Sequence, residues 1–289
     1  MIDLSNVLMD APVILDGGWG TQLQLRGLDV GAHPDIWNLT DPAKVEEVAK
    51  AYIAAGSQII LTNTFGATRF TLKKHGFDDK VAEVNRAGVE ISKRATAGTP
   101  AKVFASVGPT GVMLMMGNVK PEELYDAFLE QATAQAAAGA DGIVVETMSD
   151  PAEAAQAVRA AKTTGLPVAV SLVFDSGKDK DRTMMGTTPE KAVQLMTDAG
   201  ADIIGSNCGQ GIDGFIPICR RMRAVTSLPL WMKANAGLPE IVDGKTVYRQ
   251  SPELFAEKAR ELVEAGADLI GGCCGTSPDF IRALCKILK

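Results

Sequence analysis

The sequence predicts a single TIM-type (β/α)8 barrel spanning residues 1–289, and three observations carry that prediction. A short phrase recurs as AGSQII at 55–60, AGADGI around Gly139, AGADII at 199–204 and AGADLI at 265–270. Each copy follows an Ala-rich stretch with helical apolar spacing and runs straight into an apolar segment. Four further apolar runs of strand length fall between the copies, and no linker or low-complexity segment divides the chain.

The recurring phrase reads as a helix end, a tight turn and a buried strand. Gly56, Gly139, Gly200 and Gly266 sit where the helix must stop, and glycine takes the left-handed conformation there at little cost. The other strands are PVILD at 12–16, KVFASV at 102–107, PVAVSLVF at 167–174 and PLWMKAN at 229–235. Starts fall near residues 12, 58, 102, 141, 167, 202, 229 and 268. The strands are short and largely apolar, as parallel strands covered by helices should be. The spacing suits one strand-plus-helix unit each, and eight such units favour a closed barrel over a doubly wound open sheet.

Composition removes several function classes. Apolar residues make up 46% of the chain, enough for a large core. A net charge of -6 with no dominant basic patch argues against a nucleic-acid partner. No run approaches the ~18 apolar residues of a membrane span. The opening MIDLSNVLMDAPVILDG lacks a basic segment followed by an apolar one, so the expected location is cytoplasmic. Five cysteines, two of them adjacent, make a poor disulfide framework and fit a reducing compartment. With His33 and His75 the only histidines, a metal site must draw on Cys, Asp, Glu or Asn.

In a barrel the chemistry collects where strands end. Here those ends are Asp16-Gly17-Gly18, Thr62-Asn63-Thr64, Ser106 with Gly108-Pro109-Thr110-Gly111, Glu146-Thr147, Ser171 with Phe174-Asp175, Asn207-Cys208, Asn235-Ala236-Gly237 and Gly272-Cys273-Cys274-Gly275. Every one carries a polar or metal-capable residue. Cys208, Cys273 and Cys274 converge in this arrangement, and three thiolates with one open position is a catalytic zinc pattern. Cys219 and Cys285 fall within helical segments and read as packing residues. A redox pair and simple core packing are the rival readings of the three cysteines. A phosphate cradle built from Gly271, Gly272, Gly275 and Thr276, as in a lyase or isomerase, is another. A three-thiolate zinc suits activation of a thiol better than hydrolysis, because its excess negative charge keeps a bound sulfur electron-rich. Asp16 and Glu146 would then hold a substrate ammonium, and groups near Ser106 and Gly108 its carboxylate.

Seven motifs, LDGGWGTQL at 15–23, ILTNTFGATR at 60–69, GPTG at 108–111, ETMSD at 146–150, GSNC at 205–208, NAGLP at 235–239 and GGCCGTSP at 271–278, cover nearly the whole chain. With them the sequence resembles the homocysteine S-methyltransferase family. That family includes the homocysteine-binding barrel of cobalamin-dependent methionine synthase and the betaine–homocysteine methyltransferases. The resemblance implies a TIM barrel with one zinc on Cys208, Cys273 and Cys274, which also carry the catalysis, and Asn235 as a weak oxygen ligand. It implies Asp16 and Glu146 near the amino group of homocysteine, in a substrate site with Asn63 and Ser106, and methyl transfer to the homocysteine sulfur to give methionine. The sequence departs from the family at Ala234, where proline is common, at Ser206 and at Trp19. No corrinoid- or folate-binding segment is read within the chain, so a methylcobalamin donor implies a separate corrinoid protein. A betaine or sulfonium donor would need an aromatic cage, with Trp19, Trp37, Phe65 and Phe174 as its candidates. The apolar loop MLMMGN at 113–118 is a candidate donor or partner surface. A non-catalytic zinc or redox-sensing partner of a corrinoid protein is the reading from outside enzymology.

Overall fold

The computed structural model describes residues 8–29, 31–242 and 245–289. The seven N-terminal residues, which open the stretch read as lacking a targeting pattern, lie outside the described residues. Among the described residues, eight parallel strands alternate with eight longer helices, shorter helical turns lying in the connecting loops. They run β1 Val13–Ile14, α1 Pro42–Ala55, β2 Ile59–Leu61, α2 Val81–Thr96, β3 Lys102–Val107, α3 Pro121–Ala137, β4 Gly142–Met148 and α4 Pro151–Lys162. The second half runs β5 Val168–Leu172, α5 Pro189–Ala199, β6 Ile203–Gly211, α6 Ile212–Arg223, β7 Leu230–Asn235, α7 Pro252–Glu264, β8 Leu269–Gly272 and α8 Pro278–Leu288. The strands pair in the order β1-β8-β7-β6-β5-β4-β3-β2.

The local sequence explains these boundaries. Six of the helices open with proline at the first position, where its missing N–H costs nothing. Asp150, Thr188, Ser251 and Ser277 cap four of them by accepting a backbone N–H. Gly56, Gly139, Gly200 and Gly266 all have φ between 90° and 107°, as the repeated Ala-Gly phrase requires. Inside the barrel Phe104 and Trp231 stack with ring centroids 5.9 Å apart, among Val13, Leu15, Ile59, Leu61, Val144, Ala169, Ile203 and Leu269. Gly142 makes room for Phe104, since a Cβ there would lie 2.6 Å from that ring. A second, larger apolar layer lies between strands and helices.

The barrel's last seam, between β1 and β2, is fastened differently from the others. The Gln58 N–H donates to the Ile14 carbonyl at 2.7 Å. The other bonds use side chains: Ile14 N–H to Gln58 Oε1 at 2.8 Å and Leu61 N–H to Asp16 Oδ2 at 2.7 Å.

Three details differ from expectation. The paired strand β1 is Val13–Ile14 rather than 12–16; its main-chain bonds to β8 run on from the Val13 N–H to the Asp16 carbonyl, whereas on the β2 side the Asp16 side chain takes over. β6 runs on to Gly211 through a break in register. The loop after β7 forms a hairpin, Glu240–Val242 against Lys245–Val247, that no strand pattern announced. Among the described residues no helix is long and apolar enough to cross a membrane.

Candidate metal centre and its cavity

Cys208 owes its position to a bulge. The register of β6 against β7 breaks between Asn207 and Gly211, and Cys208 and Gly209 both take positive φ, 64° and 75°. β4 has a matching break between Val145 and Met148, with Thr147 at φ 61°. A left-handed conformation at a non-glycine residue costs on the order of 1–3 kcal/mol and persists only where neighbours hold it. Asn207, fully buried, holds Thr147 through N–H to Oδ1 and Nδ2 to Oγ1 bonds, both 2.7 Å. Ser171 Oγ donates to the same Oδ1 at 2.5 Å. Three strands are thus pinned at the level of the cysteine.

Cys273 and Cys274 follow β8 in a turn. The Cys273 N–H continues the ladder to the Ala234 carbonyl at 2.7 Å, while the Cys274 N–H donates to Asn235 Oδ1 at 3.1 Å. Thr276 Oγ1 donates to the Cys273 carbonyl at 2.7 Å and accepts the Gly18 N–H at 3.0 Å. Two adjacent side chains therefore reach one point. The Sγ atoms of Cys208, Cys273 and Cys274 all lie within 4.8 Å of one another, with Cys208 and Cys274 3.8 Å apart. Sulfurs bound at about 2.3 Å in a zinc tetrahedron stand about 3.8 Å apart, so the trio fits a metal of that size. Cys208 Sγ accepts from the Cys273 and Cys274 thiols, the Gly209 N–H and Asn235, which drives its pKa well down. Cys273 and Cys274 are held above the usual thiol range, first by their bonding to Cys208.

A cavity of about 500 Å³ opens beside the sulfurs, walled by Trp19, Thr62, Asn63, Phe65, Ser106, Glu146, Thr147 and Lys233. Glu146 Oε1 accepts from Ser106 Oγ at 2.5 Å, and burial raises its pKa against the pull of Lys233 and that bond. Lys233 donates to Asp16 Oδ1 at 2.5 Å, with side chains 2% and 0% exposed. Burial alone would drive the proton off Lys233, but Asp16 and Glu146 together overcome it and its pKa stands above the ordinary value. Asp16 Oδ2 accepts from Trp19 Nε1 and the Leu61 N–H, both at 2.7 Å. The ammonium paired with Asp16 is therefore the chain's own, and Glu146 feels its charge without bonding to it.

The homocysteine S-methyltransferase family model matches residues 13–288. The chain belongs to that family. It is 31% identical to the methionine synthases of Mycobacterium leprae and Mycobacterium tuberculosis over 97% of its own length. It spans about a quarter of the length of those relatives, 24% and 25%. The crystal structure of the metallated homocysteine methyltransferase MmuM from Escherichia coli superposes with a TM-score of 0.78 at 25% identity, covering 95% of each chain. The oxidized form of the same enzyme shares the fold with a TM-score of 0.80 at 24% identity, covering 99% of each chain.

Within this family frame the other sequence expectations sort themselves by position. Cys219 is fully buried against the Leu262 and Ala265 carbonyls, and Cys285 reaches the Ala55 and Gly56 carbonyls, so neither joins the trio. Asn63 lines the cavity but its amide nitrogen is committed to Pro34 O and Asn38 Oδ1, at 2.8 and 3.0 Å. Asn235 Oδ1 is engaged by the Cys274 N–H. Of the four aromatic cage candidates, Trp19 and Phe65 line the cavity. Trp37 lies under Lys44 Nζ, 4.5 Å from its ring centroid, and Phe174 is buried in the core. The glycine-rich turn offers no open phosphate cradle, because its N–H groups are spent inside the protein: Gly272 donates to the Asp16 carbonyl at 2.9 Å, Gly275 to Thr21 Oγ1 at 3.3 Å and Thr276 to the Cys273 carbonyl at 3.1 Å.

Lys233, Asn207, Tyr248 and the histidines are cavity or cysteine neighbours to which the sequence assigned no role. Tyr248 hydrogen-bonds Cys274, and burial followed by that sulfur's charge raises its pKa. His33 and His75 stack 4.6 Å apart on the cavity's outer wall, with Asp35 3.4 Å from His33. A lysine at a strand end was visible in the sequence; its partner Asp16, 217 residues away, was not.

Proposed function

We propose that this protein transfers a methyl group to the sulfur of homocysteine, giving methionine, with zinc held by Cys208, Cys273 and Cys274. The observation that carries the reading is the spacing of those three sulfurs beside an open cavity, in a chain of this family. Zinc bound there would lower the pKa of an entering thiol, so that the nucleophile is a thiolate at neutral pH. The chain's residues supply the rest. Asn207, Thr147 and Asn235 fix the cysteines. Ser106 orients Glu146, and Asp16 anchors Lys233 and Trp19. Lys233 and Glu146 place charge on the acceptor's wall, and Trp19 and Phe65 exclude water from the approach of the donor. No separate general base is required of Glu146.

The donor is a methylcorrinoid, and the reaction runs in the cytoplasm. Supporting this, the loops after β3 and β5 expose Met113, Met115, Met116, Met184 and Met185, an apolar rim suited to a large partner. A betaine or sulfonium donor is the alternative. Zinc-loaded protein incubated with homocysteine and a panel of methyl donors tests the reading. Methionine should form with a methylcorrinoid; absence of product with every donor would refute methyl transfer.

A further inference from the structure

Lys233 lines the cavity, ion-paired with the buried Asp16, and Glu146 of the same cavity lies within reach of its charge. A carboxylate has about four acceptor positions. Asp16 spends its own on Lys233 Nζ, Trp19 Nε1 and the Leu61 N–H, and it has no exposed surface. It is covered by Lys233 and Trp19, both of which line the cavity. Glu146 lines the cavity too, but its charge is already opposed by Lys233 and bonded by Ser106. A substrate ammonium arriving here would meet a lysine ammonium in a site with little water to screen the two, whereas a substrate carboxylate would find a buried cation with donors to spare. Lys233 has three N–H donors, and one is taken by Asp16.

We propose that Lys233 is a specificity-determining residue that takes the place of a substrate amino group, so that the acceptor class is the short ω-mercapto acids with or without an α-amino group. This rests on the thiol-methylation reading above and narrows it. The thiol and the carboxylate are read; the amino group is not. 4-Mercaptobutyrate, which is homocysteine without its amino group, is therefore bound as well as homocysteine. 3-Aminopropanethiol, which keeps the amine and lacks the carboxylate, is bound at least about 10-fold more weakly, the loss of one charge-assisted contact.

The test is calorimetry of the three thiols on zinc-loaded protein, followed by methyl transfer to each. Equal affinity for 4-mercaptobutyrate and homocysteine supports the proposal. Homocysteine binding ten-fold or more tightly than 4-mercaptobutyrate overturns it while leaving thiol methylation standing. Failure of every thiol to bind overturns both. Lys233→Met frees Glu146 and Asp16 for a substrate ammonium and should create a preference for homocysteine over 4-mercaptobutyrate of about 10-fold or more. Lys233→Arg keeps the charge and the wild-type indifference, which guards against a Met variant that does not fold. An Arg variant that discriminates as the Met variant does would also overturn the proposal.

Discussion

The side-chain amide of Asn207 grips Thr147 twice, accepting its backbone N–H and donating to its hydroxyl, each at 2.7 Å. Two bulged strand ends are thereby joined, and the conformation of the very next residue, Cys208, depends on that joint. Asn207→Ala leaves the Thr147 N–H and the Ser171 hydroxyl without their partner, at about 1–3 kcal/mol for each buried group. The expected outcome is a clearly lower melting temperature together with metal affinity weakened by about 10-fold or more, read by denaturation and by chelator competition. Normal metal affinity in a folded Asn207→Ala protein would show that Cys208 is placed by other means.

Each of Cys208→Ser, Cys273→Ser and Cys274→Ser should weaken zinc binding by more than about 100-fold, since even changes to the partners of metal ligands cost about 10- to 100-fold. Cys219→Ala and Cys285→Ala should retain full metal content, because their sulfurs contact helix carbonyls far from the trio. Metal analysis after dialysis reads both outcomes, and stoichiometric zinc in any one of the three serine variants would count against a three-sulfur site.

Asp35 supplies a pH dependence of known sign. Burial raises its carboxyl from 3.8 to about 7, against the bond from the Gly66 N–H. An acid with a raised pKa binds its proton more tightly when folded. Its contribution to stability is therefore whole below 3.8, is lost as pH rises toward 7, and is constant above that. Asp35→Asn should gain at least about 1 kcal/mol on the wild type between about pH 4 and pH 8, at roughly 1.4 kcal/mol per pKa unit of difference. Denaturant melts across that range read the difference, and parallel curves for the two proteins would refute the assignment.

Stripping the metal should expose the sulfurs to oxidation. Cys208 and Cys274 stand 3.8 Å apart, and Cys208 is the sulfur most favoured as thiolate. Mild peroxide should join these two residues in the stripped protein and leave the metal-loaded protein unchanged. Peptide mass mapping of the products decides; three intact thiols at these positions after peroxide treatment of the stripped protein would exclude the reaction.

The barrel was readable because its signals are local. The Ala-Gly phrases, the Pro openings of helices and the apolar runs act within a few residues of themselves, and the structure follows them closely. The cysteine trio was readable because adjacent cysteines at a strand end have few other uses. What escaped was pairing across the mouth. Asp16 and Glu146 could be seen as carboxylates in need of a cation, but whether that cation is a ligand or Lys233 depends on side chains meeting over 217 residues of sequence. Asn207 was hidden for the opposite reason: its bonds stabilise two backbone conformations that sequence patterns do not register.

The closure of the barrel has a mechanical side. Seven joints are main-chain ladders, but the eighth leans on side chains, and one of these belongs to Asp16. The carboxylate that latches the last stave also anchors Lys233 at the cavity floor. Whatever disturbs the charge of that floor therefore pulls on the hoop of the whole vessel, and amide exchange at Leu61 gives a readout of the cavity from its weakest seam.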